Sequence, residues 1–341
     1  MPRRIALQSR PQGLPRPEDF RIEDYVPAEP GDGEIAVANL FLSMDPAIRG
    51  FLDDRPSYLP PLAIGAPIRG MTLGRVERSR RADMPEGTVV RALADWSEVS
   101  ALGRDALGLE RVEVEPGVKL QSYMGALGPV GLTAWVGLTE IGQARSGETV
   151  VVSAAAGATG SIVGQIARLR GCRVVGLVGS QQKAERALAL GFHEAVNYRE
   201  MPDLAAAIGA ACPDGVDVYF DNVGGETLEL MLPLMREHGR VVVCGMIAQY
   251  NDADRPYGVK TLWQLVVKRL TMRGFLTYDH ADRLGEAAEE LRDWVRDGRI
   301  TPIETIYHGL EQAPLAFIDL MSAATMGKVL VALDGSEEMP R

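Results

Sequence analysis

Ala155, Gly157 and Gly160 stand in an A-x-G-x-x-G spacing within Ala155-Ala156-Gly157-Ala158-Thr159-Gly160. Small residues at this spacing let backbone N–H groups and the start of a helix approach a pyrophosphate, so the chemistry indicated is dinucleotide binding. The flanking residues read as strand, turn, helix, strand. Val150, Val151 and Val152 form a β-branched run, and Ile162, Val163, Ile166, Ala167 and Leu169 recur at helical spacing. Gly171 stops that helix, and Val174, Val175, Leu177 and Val178 give the second strand. Context carries the motif, because the same glycines also serve plain helix–strand packing in an α/β crossover. An NAD site places Asp or Glu on the ribose 2′-OH about 20 residues past the glycines. Here that region is Gly179-Ser180-Gln181-Gln182-Lys183. No carboxylate repels a 2′-phosphate and Lys183 supplies a positive charge, which favours NADP(H) over NAD(H). Taken alone, Lys183 reads more readily as a solvated lysine in the first turn of the following helix than as a phosphate ligand, since lysine is mostly exposed.

The elements that must position these residues alternate strand and helix from Thr149 onward. A helix is expected over Gln181–Leu190 with Gly191 as its stop, a strand over Ala195–Tyr198, and a helix over Asp203–Ala211. A buried strand from Val216 ends in the turn Asn222-Val223-Gly224-Gly225. A helix over Thr227–Met235, strands over Gly239–Met246 and Leu270–Leu276, and a helix over Ala281–Asp297 complete the series. Such alternation predicts an α/β, doubly wound parallel sheet covered by helices on both faces. Ligands of such a sheet sit at the carboxyl ends of the strands. The expected strand ends are Asn222–Gly224, Cys244–Asn251 and Phe275–Tyr278, and glycines there also mark ordinary turns.

Before residue 125 the chain reads as mainly β, with strands over Glu34–Leu42, Met71–Arg78 and Thr88–Ala94. Asp45 is a candidate N-cap of a short helix with Pro46 in its first turn. The Pro-rich stretch Asp53–Pro67, with Tyr58, Leu59, Leu62 and Ile64, suits a loop over a cleft or one packed on its own domain. Leu132–Ile141 reads as a helix stopped by Gly142. The domain boundary falls near residue 125, and Val329–Leu333 returns to the first domain as a strand. The expected division is 1–125 with 305–341, and 126–304.

At 341 residues the chain can bury a large core, and 46% apolar and 24% charged residues suit a globular protein. A net charge of −10 argues against nucleic-acid binding. No apolar run reaches the roughly 18 residues of a membrane span, so no membrane partner is expected. The N-terminus is basic but lacks the apolar core of a secretory signal. Cys172, Cys212 and Cys244 are odd in number and suggest a reduced, cytoplasmic chain. His193, His238, His280 and His308 are dispersed and share no ligand spacing with cysteine, so no metal site is expected.

The chain resembles the zinc-independent medium-chain dehydrogenase/reductases, in particular the prostaglandin reductase, leukotriene hydroxydehydrogenase and alkenal double-bond reductase group. The resemblance covers nearly the whole length. It rests on L-S-M-D-P-A-I-R-G at 42–50, G-L-T-A-W-V-G-L at 131–138 and the glycine-turn block. It continues in Y-F-D-N-V-G-G-E at 219–226, C-G-M-I-A-Q-Y-N at 244–251 and M-G-K-V-L at 326–330. It implies a mainly-β GroES-like domain beside a Rossmann cofactor domain, a homodimer paired strand to strand through the cofactor domains, and NADPH-dependent reduction of enals and enones.

Carried over by position, Ala158, Thr159 and Gly160 resemble the pyrophosphate turn. Lys183 and Tyr198 resemble the pair on the 2′-phosphate, with Ser180 beside them, and Asn222 is similar to a cofactor-contacting asparagine. Cys244, Gly245, Met246, Ile247, Gln249, Tyr250 and Asn251, with Phe275, Leu276 and Thr277, resemble the lining of the nicotinamide and its ribose. Tyr250 resembles a tyrosine that assists catalysis, although an aromatic there also simply packs a wall. Asp45, Tyr58, Tyr250 and Tyr257 are the substrate-side candidates. The family often has Tyr where this chain has Ala47, and Asn where it has Thr325, which shortens the reach of a polar contact. Quinone reduction on the same fold is the rival activity. A zinc alcohol dehydrogenase is disfavoured by the missing ligand pattern, and a non-catalytic NADPH-binding protein is the remaining alternative.

Overall fold

The computed structural model describes residues 1–336 apart from Pro56, Tyr58, Ala253 and Asp254. Backbone contacts divide the chain into two units. One holds Met1–Met124, Glu304–Thr325 and the chain from Val329 onward; the other holds Gly125–Ile303 and Met326–Lys328.

The first unit is antiparallel. β1 (Arg3–Leu7) pairs with β2 (Phe20–Asp24). The long β3 (Ile35–Met44) is followed by a short helix, α1 (Ile48–Phe51), and pairs with β4 (Arg69–Ser79). β5 (Val89–Asp95) pairs with β4, β6 (Val99–Leu102) with β3, and β7 (Glu110–Arg111) with β5. Ile35, Val37, Val76, Val90 and Leu102 form the core of this sheet. Asn39 is buried among them, and its Nδ2 donates to Ser97 O and Ser100 Oγ, each at 2.8 Å. Asp45 does not cap α1. Ala47 holds the cap position without a side-chain bond, and the Asp45 carboxylate instead accepts the Ser43 hydroxyl. Leu62 is buried and its N–H bonds Phe51 O at 2.8 Å, so this part of the Pro-rich loop packs on its own unit, whereas Ile64 is exposed.

The second unit opens with α2 (Pro129–Val136), which continues as a π-type turn over Gly137–Ile141. Then come β8 (Thr149–Ser153), α3 (Ala158–Leu169), β9 (Arg173–Val178), α4 (Gln181–Ala189), β10 (Glu194–Asn197), α5 (Leu204–Ala211) and β11 (Val216–Asp221). The series continues with α6 (Gly225–Met231), β12 (Met235–Val243), α7 (Ile247–Tyr250), α8 (Trp263–Val267), β13 (Thr271–Gly274) and α9 (Leu284–Arg296). The sheet order is β10-β9-β8-β11-β12-β13, all parallel. Successive side chains of β8 point to opposite faces. Val150 and Val152 pack with Ile162, Ile166, Val218 and Phe220, whereas Val151 packs with Val175, Tyr219 and Val241. The valine run is therefore buried from both sides, each side chain stabilising by about 1.5–3 kcal/mol before entropy is counted. The chain leaves β8 toward β9 and returns on its other side as β11, which makes the carboxyl end of β8 the switch point of the sheet.

Some boundaries differ from expectation. α6 ends at Met231 because Pro233 sits in a 3-10 turn over Leu232–Leu234, and β12 starts at Met235. His238 at φ 60° and the register shift between Val216 and Val218 mark an irregularity there. Gly142 is not a left-handed stop; it keeps a helical φ of −75°. A Cβ on it would lie 3.1 Å from both Val218 and Val242, so its smallness serves packing against the sheet.

The chain then returns to the first unit with β14 (Glu304–His308), α10 (Ala313–Met321) and β15 (Lys328–Ala332). β15 pairs antiparallel with β3, Val329 opposite Met44 and Val331 opposite Leu42, within a seven-stranded sheet.

Candidate active site

The glycine turn follows β8 directly. Ala154 adopts a left-handed φ of 49°, and its carbonyl accepts Gly157 N–H at 2.8 Å. A Cβ on Gly160 would meet that carbonyl oxygen at 2.4 Å, so this turn requires glycine. The first intrahelical bond of α3 runs from Ser161 N–H to Gly157 O at 3.1 Å. The N–H groups of Ala158, Thr159 and Gly160 stand ahead of it at the positive end of the helix. Gly327 joins this turn: its N–H bonds Ala156 O at 2.8 Å, and it bridges Gly157 in parallel.

The segment Gly179-Ser180-Gln181-Gln182-Lys183 at the end of β9 contains no Asp or Glu. Ser180 caps α4, its Oγ accepting Lys183 N–H at 3.3 Å. Lys183 is half-buried, and burial, with Arg199 adding to it, pushes its ammonium pKa down. A Cβ on Gly179 would lie 2.7 Å from the Tyr198 hydroxyl and 3.5 Å from Arg199 Nε. The ends of β9 and β10 thus gather a phenol and two cationic side chains around a bare backbone segment.

The end of β11 is held by a buried network. Asp221 Oδ1 accepts Ser153 Oγ at 3.2 Å, Tyr219 OH at 2.8 Å, and the N–H groups of Val223 and Gly224 at 2.9 Å each. Its Oδ2 is buried without a partner among the described residues. Burial pushes this carboxyl pKa up against the lowering effect of those donors. Asn222 donates Nδ2 to Ser153 O and its N–H to Ser153 Oγ, both at 2.8 Å. Neither Ser153 nor Asp221 emerges from the sequence reading as a site residue. The signal for the aspartate is the Asx-turn pattern Asp221-Asn222-Val223-Gly224, in which a short carboxylate bonds the next backbone donors.

After β12, Cys244 and Gly245 donate their N–H groups to Asp221 O at 2.8 and 3.1 Å. Ile247 and Ala248 donate theirs to Asn222 O and Val223 O at 3.3 and 3.1 Å. Burial, reinforced by Asp221, pushes the Cys244 thiol up to about 12, which keeps it protonated and unreactive. The Tyr250 hydroxyl accepts Met246 N–H at 3.2 Å, and burial raises its pKa, so its own proton remains available to donate. Gln249 Nε2 and Asn251 Oδ1 are buried without partners among the described residues. Phe275 packs on the core near Gly137, Leu276 is exposed, and Thr277 Oγ1 meets Thr133 Oγ1 at 3.0 Å.

Ala158–Gly160, Asn222, Cys244–Asn251 and Phe275–Thr277 therefore all lie at carboxyl strand ends of one sheet, and Ser180, Lys183 and Tyr198 lie beyond β9 and β10 at the same edge. Tyr257 lies beside α6, its hydroxyl bonded to the Glu229 carboxylate, with Lys260 Nζ 5.8 Å from its ring. Asp45 and the half-buried Thr325 belong to the other unit, and Tyr58 is outside the described residues. Among the described residues no group of three or more His, Cys, Asp or Glu is placed to hold a metal ion. No helix among them is long and apolar enough to cross a membrane. A dinucleotide with a 2′-phosphate fits what is present: a glycine turn where a Cβ would collide, a strand end without carboxylate, and unpartnered amide atoms at the third strand end.

Residues 3–112 match a family described as the N-terminal domain of oxidoreductase, and residues 158–293 one described as zinc-binding dehydrogenase. The chain is 39% identical over 342 residues to an NADPH-dependent curcumin reductase of Escherichia coli, covering 98% of each. It is 37% identical over 334 residues to an NADP(+)-dependent 2-alkenal reductase of Nicotiana tabacum, covering 96% of each. It is 36% identical over 328 residues to prostaglandin reductase 1 of Mus musculus, covering 95% of this chain and 97% of that one. The NADPH complex of CurA from Vibrio vulnificus superposes with a TM-score of 0.91 at 36% identity, over 97% of this chain and 99% of that one. A quinone oxidoreductase of Pseudomonas syringae superposes with a TM-score of 0.78 at 26% identity, over 97% and 100%.

Proposed function

The chain belongs to the zinc-independent medium-chain dehydrogenase/reductases and is an NADP-dependent oxidoreductase, and from that premise we propose that it reduces the carbon–carbon double bond of α,β-unsaturated aldehydes and ketones. The observation that carries the reading is the edge of strand ends described above, joined to 36% and 37% identity over nearly the whole length of a prostaglandin reductase and an alkenal reductase. When bound, NADPH supplies a hydride for the β-carbon of the acceptor.

The chain's own residues hold and orient. Ala158, Thr159 and Gly160 present N–H groups to the pyrophosphate, while Lys183 and Tyr198, with Ser180 beside them, hold the 2′-phosphate. Asn222, fixed by Ser153, and the segment Gly245–Asn251 line the nicotinamide side together with Phe275–Thr277. Gln249 Nε2 and Asn251 Oδ1 add a donor and an acceptor that have no partner among the described residues. Tyr250 donates its O–H to the substrate oxygen as negative charge develops on it, and the α-carbon is protonated afterwards. Its raised pKa keeps the phenol protonated at neutral pH.

A homodimer is part of the same proposal. β13 ends the sheet with its residues exposed, and Trp263, Val266 and Tyr278 expose apolar surface at 68%, 60% and 76%. An open edge with an apolar border supports strand-to-strand pairing. A cytoplasmic location agrees with three free cysteines, Cys172, Cys212 and Cys244.

A second reading, quinone reduction, is favoured by the Pseudomonas syringae likeness. NADPH oxidation measured across enals, enones, quinones and acryloyl thioesters, repeated with NADH, separates the two. Faster turnover of enals and enones than of quinones is expected, and a quinone preference would replace the proposal. A strong NADH preference would overturn the cofactor choice.

A further inference from the structure

The parallel ladder of β13 ends at Gly274, opposite Val243, so the sheet no longer holds the backbone that follows. That segment supports itself poorly. Leu276, Tyr278, Asp279, Ala281 and Asp282 are exposed, and His280, at φ −119° and ψ 33°, interrupts the 3-10 turn over Thr277–Arg283. Its placement comes from α2 and the π-type turn after it. Thr133, Gly137 and Glu140 stand at i, i+4 and i+7, which brings them to one side. The Phe275 ring reaches Gly137, where an added Cβ would lie 2.8 Å from its Cζ. Thr133 Oγ1 donates to Pro129 O at 2.8 Å, so in its 3.0 Å contact with Thr277 the Thr277 hydroxyl is the donor. Arg283 closes the segment. Its Nη1 meets Glu140 Oε1 at 2.8 Å, and its guanidinium carbon lies 5.4 Å from the centroid of the Trp135 ring. Trp135 is fully buried and donates Nε1–H to Glu290 Oε2 at 2.6 Å, so the ring under Arg283 is itself fixed. Nη2 of Arg283 also donates to Glu286 Oε2 at 2.8 Å, which sets the guanidinium from a second direction.

We propose that Arg283 is a positioning residue: pinned on Trp135 and Glu140, it holds the far end of the segment whose start, Phe275–Thr277, lines the nicotinamide, and so sets how the bound cofactor faces the substrate. The inference rests on the placement of Phe275–Thr277 given above. Arg283 acts through that segment and touches neither cofactor nor substrate in this role. A partly exposed ion pair and a cation–π contact contribute little to global stability. A shift of about 1 Å at reacting groups, by contrast, costs about 100-fold in rate. Loss of the pin should therefore register at the nicotinamide end more than in the fold.

The test is calorimetric binding of NADPH and of adenosine 2′,5′-bisphosphate, which carries the adenine end without the nicotinamide, to the full-length protein and its variants. Arg283→Met should weaken NADPH about tenfold and leave the bisphosphate within about twofold. Its kcat with an enal at saturating NADPH should fall about tenfold as well. Arg283→Lys keeps a cation for Trp135 and Glu140 and should recover most of both losses. Glu140→Gln loosens the same pin from the π-turn side and should repeat the pattern at about threefold, so the outcome does not hang on the folding of one variant. Arg170→Met removes a second cation from the same ring, 5.6 Å from its centroid, and should leave both ligands within about twofold. Unchanged NADPH binding and kcat in Arg283→Met would overturn the inference. Equal loss of both ligands would also overturn it, because that pattern marks a disturbed unit and not a displaced segment. Arg170→Met matching Arg283→Met would do the same, by assigning the effect to Trp135 packing. An unchanged protein that binds NADPH but reduces no enal or enone would overturn the proposed activity, and the binding comparison would still decide the role of Arg283.

Discussion

The carboxylate of Asp221 accepts the hydroxyl of Ser153 at 3.2 Å, tying the ends of β11 and β8 by side chains as well as by the parallel ladder. The same hydroxyl oxygen accepts Asn222 N–H at 2.8 Å, so one small residue serves the glycine-turn strand and the neighbouring turn together. Ser153→Ala should leave the Asn222 N–H without this partner and destabilise by about 1–3 kcal/mol. Denaturant melts would show the loss, and NADPH titration should show weaker binding because the Asn222–Gly224 turn is released.

Gly160→Ala should destabilise by about 1–3 kcal/mol and weaken nucleotide binding, since the atom at 2.4 Å is the Ala154 backbone oxygen and cannot swing aside. Gly209→Ala is the contrasting case. Gly209 lies inside α5 with nothing within 4 Å of an added Cβ, so alanine should stabilise by about 0.5–1 kcal/mol. Thermal melts of the two variants should move in opposite directions.

Glu148 and Arg240 form a two-point ion pair, Oε1 to Nη1 at 3.0 Å and Oε2 to Nη2 at 2.5 Å, both side chains being largely buried. Burial works against the charged carboxylate, but the Arg240 and Arg145 contacts outweigh it and hold the Glu148 pKa below its usual value. A depressed carboxylate contributes stability above the unfolded value of ~4.3 that is lost as pH falls through the folded value. Glu148→Gln should therefore lower the melting temperature at pH 7, and the gap to the unchanged protein should narrow as pH falls below ~4.3.

Tyr250→Phe should lower kcat with an enal about 100-fold while NADPH affinity changes little, if the phenol donates to the developing charge. Unchanged kcat would assign Tyr250 to packing alone. Because burial raises this pKa, activity should persist on the alkaline side to at least ~10 before the phenol ionises.

Trp263→Glu combined with Val266→Glu should convert a dimer to a monomer in sedimentation velocity, with the melting temperature of dilute protein little changed, because both side chains are exposed within one chain. A dimer that survives the double variant would place the subunit contact elsewhere.

Local pattern was enough to read the βαβ unit around the glycine turn. A valine run, a helical stripe and a glycine stop all act within a few residues of one another, and backbone sterics and side-chain period decide them. The missing carboxylate at Gly179-Ser180 and the positive charge at Lys183 were legible for the same reason. Where a proline-bearing 3-10 turn cut α6 short, and where Gly142 filled a packing gap instead of ending a helix, competing tertiary contacts decided the outcome.

Residue types and their spacing were enough for the alternation, the sheet type, the glycine turn and the preference for a 2′-phosphate over a bare ribose hydroxyl. The folded chain alone shows that Ser153 and Asp221, 68 residues apart, share a hydrogen bond, that Tyr250 turns its oxygen to Met246, and that Arg199 comes beside Gly179. The reason is physical. A strand's own residues fix its faces, but which strand end lies next to which is set by pairing across the sheet, and pairing energy depends on partners remote in the chain.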